Sequence, residues 1–518
     1  MSRESWGSRI GVILAVAGSA IGLGNFLRFP VQCAQNGGGA FMIPYFIAFF
    51  FLGIPLCWAE WAMGRMGGAH GHGSTPGMFH VLWKNPLSKH FGSLGLIITF
   101  GVCVYYIYLE AWTLGYAWFE MTGRFSGIAT REEMGTFLTS FQGLKSSSYF
   151  DGMGTVYSFF LLSFAVNVYV LWYGIRGGIE KLCNIGLPLL FIMALVLVIR
   201  VFTLDSPDPM HPENSVVSGL GFVWNPDFSQ LRNAKIWLAA AGQIFFTLSV
   251  GFGCIQTYAS YLDRKKDVTL NGLTAAISNE VAEVVCGGSI AIPIAVAFFG
   301  IVAATEIAHG GSFNLGFQAM PLIFEKIPLG RFFGTLWFFL LFIAAITSSV
   351  SMVQPVVAFF QDEFGWSRKK AVVVMSTAWF LCAQPVIFFL GHGYLDEMDF
   401  WLGTLGVVVF ALIETIVFIW IYGPNKAWEE INAGGDLKLP RFFLFVLKYV
   451  TPLYLIFILI SWGKQDGIRI LFMEGVSGED IPYIMTSRIM MFMMFVVINA
   501  LISVAFRRRA RREREKVA

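Results

Sequence analysis

Long apolar segments recur along the whole chain, and they restrict its fold more than any other feature. A helix needs roughly 20 apolar residues to cross the hydrocarbon core of a bilayer. We predict twelve such segments, at residues 9–35, 39–66, 92–121, 154–174, 180–203, 236–262, 270–302, 330–362, 369–390, 394–422, 441–462 and 482–506. The 518 residues are 56% hydrophobic and 13% charged, about half the charged share of an ordinary soluble domain. The expected class is therefore an all-α integral membrane protein with twelve transmembrane helices embedded in a lipid bilayer.

Basic residues beside these segments indicate the orientation of the chain. With twelve spans they lie on one side of the membrane: Arg3, Arg9, Arg264, Lys265, Lys266, Arg368, Lys369, Lys370, Arg507, Arg508, Arg509, Arg511, Arg512 and Arg514. Loops 204–235 and 463–481, on the other side, are acidic. Cytoplasmic loops carry the excess of Lys and Arg, so both termini are predicted to be cytoplasmic. The absence of any Asn-x-Ser/Thr sequon favours a bacterial inner membrane over other plasma membranes.

Composition also excludes several other classes. The net charge of +3 is too small to indicate nucleic acid as a partner. The seven cysteines lie in apolar stretches without CxxC spacing, which indicates small buried side chains and no disulfide or metal framework.

Two of the apolar segments are interrupted by glycine near their centres. The first contains Gly18-Ser19-Ala20-Ile21-Gly22-Leu23-Gly24-Asn25, and the sixth contains Phe246-Thr247-Leu248-Ser249-Val250-Gly251-Phe252-Gly253. An unwound turn inside a membrane is tolerated only where its polar backbone groups line a cavity or bind something. For one cluster alone, close helix packing through small residues is the alternative. Two clusters at corresponding positions in two halves favour the central binding site of a transporter.

The residues around these breaks resemble the neurotransmitter/sodium symporter family. The resemblance rests on Ala20-Ile21-Gly22-Leu23-Gly24-Asn25-Phe26-Leu27-Arg28-Phe29-Pro30, Gly242-Gln243-Ile244-Phe245-Phe246-Thr247-Leu248-Ser249, Thr347-Ser348-Ser349 and Asp396-Glu397-Met398-Asp399-Phe400-Trp401. It extends over essentially the whole chain, residues 1–518, as one transporter domain. It implies the LeuT fold, with inverted five-helix repeats at 9–203 and 236–422, two additional helices at 441–506 and a basic cytoplasmic tail at 507–518.

The resemblance implies two sodium sites. Sodium is a hard cation, and oxygen atoms are the ligands that hard cations prefer. The first site would use the Ala20 carbonyl, Asn25, Thr247, Asn279 and the carboxylate of the bound substrate. The second would use the carbonyls of Gly18, Ile21 and Ala344 with the hydroxyls of Thr347 and Ser348. For any single Thr or Ser, a hydrogen bond back to its own helix is the alternative.

The resemblance also implies a substrate pocket formed by Ala20, Gly24, Val102, Tyr106, Phe246, Thr247, Ser249, Phe252, Ser348 and Met352. Amine-transporting members carry an aspartate where this chain has Gly22, and the chain has no acid between Ile10 and Arg28. The substrate should therefore bring its own carboxylate. The expected function is sodium-coupled symport of small neutral, mainly hydrophobic amino acids, of the leucine, alanine and methionine type, into the cell by alternating access.

Charged residues are expected to gate and balance this site. By resemblance, Arg28 and Asp399 form the outer gate, and Arg3 and Asp362 form the inner gate with Tyr261. Glu283 stands where chloride-dependent relatives have serine, so its carboxylate implies chloride independence. A channel, a sensor that does not transport and an intramembrane enzyme using His70-Gly71-His72 remain alternatives, although we expect no enzyme activity. The sequence leaves the oligomeric state open, including a homodimer.

Overall fold

The structure is a computed structural model, and it describes residues 4–204 and 206–517. In this part of the chain, ten helices are long and apolar enough to cross a membrane. The helix pair at the start of the chain gives an eleventh span, because its two halves are bent by 48° at a short break. The sixth predicted segment is not counted by length, since its two helices have only 14 and 6 residues.

We number the spans in chain order. They are span 1a (Arg9–Ala20), span 1b (Gly24–Gln35), span 2 (Gly39–Ala69), span 3 (Ser88–Thr122), span 4 (Gly154–Trp172), span 5 (Ile175–Phe202), span 6a (Ala234–Thr247), span 6b (Cys254–Ala259), span 7 (Thr269–His309), span 8 (Gly330–Phe364), span 9 (Arg368–Phe388), span 10 (Tyr394–Ile421), span 11 (Phe442–Trp462) and span 12 (Ile481–Arg512). Shorter helices at Thr75–Leu82, Arg131–Phe141, Val216–Trp224, Met320–Lys326 and Pro424–Asn432 lie between them.

Each predicted apolar segment corresponds to one of these spans, and most ends agree within a few residues. Span 7 differs at its end, because it continues to His309 instead of ending near 302. Its helix is kinked at Gly300, where φ is 78°. The helix of span 12 also continues past the predicted end at 506 and runs to Val517. The length of the apolar stretch underestimates the length of both helices, because each helix continues into polar residues beyond that stretch.

The break in span 1 is stabilised by a side chain that replaces a helical hydrogen bond. Span 1a ends at Ala20, and Ile21 adopts an extended conformation with ψ of 95°. The backbone N–H of Gly22 then donates to Asn25 Oδ1 at 2.8 Å. The unwound turn is therefore held from within, and Asn25 is fixed at the start of span 1b.

The break in span 6 depends on left-handed backbone conformations. Gly251 and Gly253 have φ of 78° and 92°, and Ser249 has φ of 54°, which is uncommon for a residue with a Cβ. The freed N–H of Gly251 donates to Glu60 Oε1 of span 2 at 2.5 Å. The hydroxyl of Ser249 donates to the Ser19 carbonyl at 3.0 Å, which joins this break to the one in span 1.

Spans 3 and 8 pack beside these two breaks, and both are 35 residues long and largely buried. They carry Tyr106 and Ser348, which point toward the break in span 1. Spans 11 and 12 instead expose large apolar side chains, including Phe457 and Phe492, as expected of helices that face lipid.

Candidate functional site

A cavity of about 470 Å³ lies where the two breaks meet spans 3 and 8. Every residue of the predicted substrate pocket lines it: Ala20, Gly24, Val102, Tyr106, Phe246, Thr247, Ser249, Phe252, Ser348 and Met352. Arg28, Asp396 and Asp399 line the part that lies farther from span 1a. The structure therefore brings together residues from five separate spans around one space.

Gly22 lies in the cavity wall beside two hydroxyl groups. A Cβ atom at position 22 would lie 2.9 Å from Ser348 Oγ and 3.0 Å from the Tyr106 hydroxyl oxygen. The next residue, Leu23, donates its N–H to that same Tyr106 oxygen at 3.2 Å. Hydroxyl and backbone donors therefore surround a position that has no room for a side chain of its own.

Another part of the wall is apolar. Val102, Phe252 and Met352 all line the cavity and are at least nine-tenths buried. Gly24 allows the ring of Phe246 to approach the backbone, since a Cβ atom at position 24 would lie 2.6 Å from Phe246 Cε1. The cavity thus has a polar end and an apolar end, which suits a small solute with a charged group and an apolar side chain.

The three side chains predicted for the first sodium site form one buried cluster. Asn25 Nδ2 donates to Thr247 Oγ1 at 3.2 Å and to Asn279 Oδ1 at 2.8 Å. Asn279 Nδ2 donates to Thr247 Oγ1 at 2.9 Å. The Thr247 hydroxyl oxygen of span 6a and the Asn279 amide oxygen of span 7 therefore converge on the Asn25 amide of span 1b, and oxygens of these types are ones that sodium prefers.

Glu283 lies directly against this cluster and is fully buried. Its carboxylate accepts from Asn25 Nδ2 at 3.0 Å and from Gln243 Nε2 at 2.7 Å. The sequence did not assign a role to Gln243, although it lies within one of the matched motifs. A buried amide in an apolar span was the signal that could have identified it, because such a group needs a partner.

The residues predicted for the second sodium site also lie together. Ser348 Oγ is 3.3 Å from the Gly18 carbonyl oxygen and 3.4 Å from that of Ile21. Thr347 Oγ1 donates to the carbonyl of Ala344 in its own helix at 3.1 Å. The hydroxyl of Thr347 thus makes the helical back-bond that the sequence left as the alternative, while Ser348 contacts span 1.

The structure places both predicted outer-gate residues at the cavity but does not join them. Arg28 Cζ lies 4.1 Å from the ring centroid of Phe246. Asp399 Oδ1 accepts from the Tyr105 hydroxyl at 2.5 Å. Among the described residues, no ion pair links Arg28 with Asp399. The side of the cavity that these residues line is therefore not sealed by a direct contact between them.

The inner-gate prediction is described only in part, because Arg3 lies outside the described residues. Its predicted partner Asp362 belongs to span 8, and the Tyr261 hydroxyl accepts from Gln354 Nε2 at 2.7 Å. Trp6 packs edge-on against Tyr258 with ring centroids 5.3 Å apart. On this face Trp6 therefore packs against span 6b, beside a cavity of about 850 Å³ that Trp6 and Tyr261 also line.

A further ion pair on that face was not predicted. Arg368 Nη1 lies 3.1 Å from Glu4 Oε2, and Glu4 also accepts from the Ile175 N–H at 2.8 Å. These contacts fix the N-terminal segment to the ends of spans 5 and 9. Nothing in the sequence indicated these contacts. Glu4 and Arg368 are charged residues next to apolar segments, and that position alone does not specify a partner.

The histidines considered for an enzyme have other partners. His72 Nδ1 lies 2.5 Å from Glu363 Oε1, and His70 Nδ1 lies 2.9 Å from the Met66 carbonyl oxygen. Within residues 4–204 and 206–517, no group of three or more His, Cys, Asp or Glu side chains is arranged to hold a metal ion.

Fold and site together define a multi-pass membrane transporter whose central cavity is built from broken helices. The model of the Sodium:neurotransmitter symporter family matches residues 3–131 and 129–510, and the chain belongs to this family. This confirms the resemblance noted in the sequence. The members of this family are transporters, and they depend on sodium. As a member, this chain is a transporter that uses sodium.

Individual relatives agree with this assignment. An uncharacterised sodium-dependent transporter of Methanocaldococcus jannaschii is 32% identical over 511 residues, covering 96% of this chain and 97% of that protein. The sodium-dependent serotonin transporter of Drosophila melanogaster is 26% identical and covers 89% of this chain and 76% of that protein. The crystal structure of MhsT in complex with L-phenylalanine aligns with a TM-score of 0.75 at 28% identity, over 89% of this chain and all of MhsT. The predicted LeuT fold is therefore confirmed.

Proposed function

We propose that this protein is a sodium-coupled symporter that carries small neutral, mainly hydrophobic amino acids into the cell. The proposal rests on the polar groups that surround Gly22. The Tyr106 and Ser348 hydroxyls and the Leu23 N–H converge where no acidic side chain is present. These groups suit a carboxylate that the substrate supplies, and the apolar wall suits its side chain.

Two sodium ions are proposed to travel with the substrate. The cluster of Asn25, Thr247 and Asn279 with the Ala20 carbonyl would hold the first, and the substrate carboxylate would complete its coordination. Gly18, Ile21, Ala344, Thr347 and Ser348 would hold the second. A tenfold gradient supplies about 1.4 kcal/mol per ion, and a potential of about 100 mV adds about 2.3 kcal/mol per charge. Two ions moving with a zwitterion would therefore supply roughly 7 kcal/mol for accumulation.

Chloride is not expected to take part. The buried carboxylate of Glu283 lies beside Asn25 and supplies a negative charge at the first sodium cluster. A protein with that charge in place has no need of an anion from solution.

Alternating access is proposed as the mechanism, with the five-helix repeats at 9–203 and 236–422 moving relative to each other. Trp6 and Glu4 hold the N-terminal segment against spans 5, 6b and 9, whereas no ion pair among the described residues joins Arg28 to Asp399 at the other end of the cavity. This arrangement suits a state that receives substrate from outside. From the distribution of Lys and Arg we propose that both termini are cytoplasmic. From the absence of an Asn-x-Ser/Thr sequon we propose that the membrane is a bacterial inner membrane.

The test is uptake into proteoliposomes that contain the purified protein. We expect leucine, alanine or methionine to accumulate when sodium is higher outside and not when potassium replaces it. L-Phenylalanine belongs in the same panel because MhsT binds it. Counterflow of labelled amino acid in the absence of a sodium gradient would distinguish a transporter from a sensor. Single-channel currents would identify a channel. Failure of every neutral amino acid to bind in the presence of sodium would contradict the proposal.

A further inference from the structure

A smaller cavity lies on the face that holds the N-terminal segment, between that segment and the ends of spans 4, 5 and 9. Its volume is about 250 Å³, and Glu4, Trp172, Tyr173, Arg176 and Arg368 are among the residues that line it. It is separate from the central cavity, and none of the residues proposed for substrate or sodium lines it. The amino acid binding proposed above makes no use of this space.

The acidic side chains near this cavity already accept hydrogen bonds. Glu4 accepts from Arg368 at 3.1 Å and from the Ile175 N–H at 2.8 Å. Glu180, on the first turn of the long helix of span 5, accepts from the Gly7 N–H at 2.7 Å and from the Ser8 hydroxyl at 3.0 Å. Glu4 is therefore neutralised by Arg368, whereas the donors to Glu180 are uncharged and leave that carboxylate with its charge one helical turn from Arg176.

Two basic side chains at the cavity have no such partner. Arg176 is exposed and lines the cavity, and in the described part of the chain it forms no ion pair. Lys369 is also exposed and is likewise unpaired among the described carboxylates. Its Nζ lies 5.4 Å from the ring centroid of Trp172. Arg176 at the rim of the cavity and Lys369 beside Trp172 are therefore basic groups that no described carboxylate approaches within ion-pair distance.

Exposed aromatic residues surround the same cavity. Tyr169, Trp172 and Tyr173 at the end of span 4 are 64%, 37% and 56% exposed. Tyr and Trp are enriched at the depth of lipid headgroups, because their rings are amphipathic. A basic cavity bordered by such rings at the end of a span is accessible from the bilayer as well as from water.

We propose that this cavity binds the phosphate headgroup of an anionic phospholipid. Arg176 and Lys369 would contact the phosphate, and Trp172 and Tyr173 would contact the glycerol and the start of the acyl chains. Anionic lipids attract basic residues beside a span through the surface potential of the leaflet. The aromatic residues favour a lipid over a soluble phosphate, which has no apolar part for them to contact.

One consequence rests on the proposed function. Arg368 lines this cavity and also pairs with Glu4, so a phosphate bound there would compete with Glu4 for the guanidinium. An anionic lipid would then loosen the N-terminal segment and favour opening of the face that holds it. Transport should be faster in membranes that contain such lipids.

The binding itself can be tested without transport. Native mass spectrometry of the purified full chain would count the phosphatidylglycerol molecules retained, with phosphatidylcholine as the neutral comparison. The double variant Arg176→Gln/Lys369→Gln should lose at least tenfold in affinity for phosphatidylglycerol, since each basic residue at an anionic surface contributes roughly fivefold. The matched control Arg507→Gln/Arg514→Gln removes the same charge from the exposed C-terminal helix and should retain the bound lipid.

Three results would overturn the proposal: equal retention by the double variant and the wild type, equal retention of the neutral lipid, or an equal loss in the control. Soluble glycerol phosphate at the same concentration should not displace the lipid, and displacement would assign the site to a free phosphate. Because lipid binding is measured directly, failure here leaves the transport proposal standing. Failure of amino acid uptake would not affect the lipid site.

Discussion

At the scale of single residues, the central cavity depends on missing side chains as well as on those present. Gly22 leaves the Tyr106 and Ser348 hydroxyls free to face the cavity, and Gly24 admits the ring of Phe246. Asn25 has two roles, since its Oδ1 accepts from the Gly22 N–H and its Nδ2 donates to three neighbouring side chains. Substitutions at these positions should therefore change what binds before they change the fold.

Gly22→Asp should abolish binding of neutral amino acids. A Cβ atom at position 22 would lie 2.9 Å from Ser348 Oγ, and the added carboxylate would repel the carboxylate of the substrate. Sodium-dependent binding of labelled leucine to purified protein measures the effect, and we expect a loss of at least about 100-fold for two like charges in a buried site. Gly154→Asp is the control, because a Cβ atom there meets nothing within 4 Å. Leucine binding at wild-type affinity in Gly22→Asp would rule out this assignment of the pocket.

Glu283→Ser should make transport respond to chloride. The substitution removes the negative charge beside Asn25 and leaves a hydroxyl that can donate to an anion. Uptake by the variant should be low with gluconate and recover when chloride is restored, whereas wild-type uptake should be the same in both. Glu110→Gln is the control, since Glu110 is buried in a separate network with Asn167 and Ser349. An equal response of both variants, or none from Glu283→Ser, would contradict the assignment.

At the scale of helices, breaks and ends are stabilised by carboxylates from other elements. Glu60 satisfies the N–H of Gly251 in the break of span 6. Asp267 caps the start of span 7, where its Oδ1 accepts from the Leu270 N–H at 3.0 Å and the Thr269 hydroxyl at 2.7 Å. Its Oδ2 accepts from the Asp436 N–H at 3.1 Å, which ties this helix end to the loop before span 11.

Asp267→Ala should lower the stability of the folded protein. Removing an N-cap costs about 1 kcal/mol, and the loss of the contact with residue 436 adds to this. The buried cysteines allow the measurement, because a thiol-reactive dye reports unfolding on heating in detergent. The control is Asp263→Ala, which removes an exposed carboxylate from the same loop. An unchanged melting temperature for Asp267→Ala alone would show that the cap contributes nothing.

The same carboxylate predicts a dependence on pH. Burial raises the pKa of Asp267, but hydrogen bonds from Leu270, Thr269 and Asp436 outweigh it, so the pKa lies below its ordinary value. A lowered pKa in the folded state stabilises the protein above the unfolded pKa of about 3.9, and this stabilisation is lost as the pH falls through the folded pKa. The difference in melting temperature between wild type and Asp267→Ala should therefore be full at neutral pH and shrink below about pH 4. A constant difference over that range would exclude this linkage.

At the scale of the whole molecule, the two ends of the central cavity are held differently. Glu4, Trp6 and Arg368 fasten the N-terminal segment to spans 5, 6b and 9. At the opposite end, Arg28 and Asp399 line the same space with other partners. The equilibrium between two open states should therefore be sensitive to the contacts of the N-terminal segment.

Glu4→Gln should shift the molecule toward opening on the N-terminal face. A partly exposed ion pair contributes about 0–1 kcal/mol, so its loss should change the population of the open state by up to about fivefold. The rate of thiol labelling at Ser260→Cys, a position that is 2% exposed, measures this opening. Glu397→Gln is the matched control, because it breaks the ion pair with Arg488 on the opposite face. Identical labelling rates in all three backgrounds would show that the Glu4 contact does not hold this face.

The broken spans could be predicted because their signals are local, whereas the pocket residues were predicted only from the resemblance to a family. Apolar length identifies a span, and glycine clusters identify a break, without knowledge of what packs against them. Contacts between charged residues far apart in sequence carried no such signal. The Glu4–Arg368 pair, the Gln243–Glu283 hydrogen bond and the separation of Arg28 from Asp399 all depend on how helices pack and on which state is adopted.

By itself, the sequence determined that this protein crosses a membrane repeatedly, where two spans are interrupted and that no acid occupies position 22. These follow from the free energy of placing each residue type in a bilayer or a helix. Tertiary structure alone decided which oxygen atoms meet at the breaks, which partner Thr347 selects and which groups Arg28 and Asp399 contact. Those outcomes follow from free-energy differences of a few kcal/mol between alternative packings of the helices. Such differences depend on which groups are in contact, so they cannot be assigned to single residues.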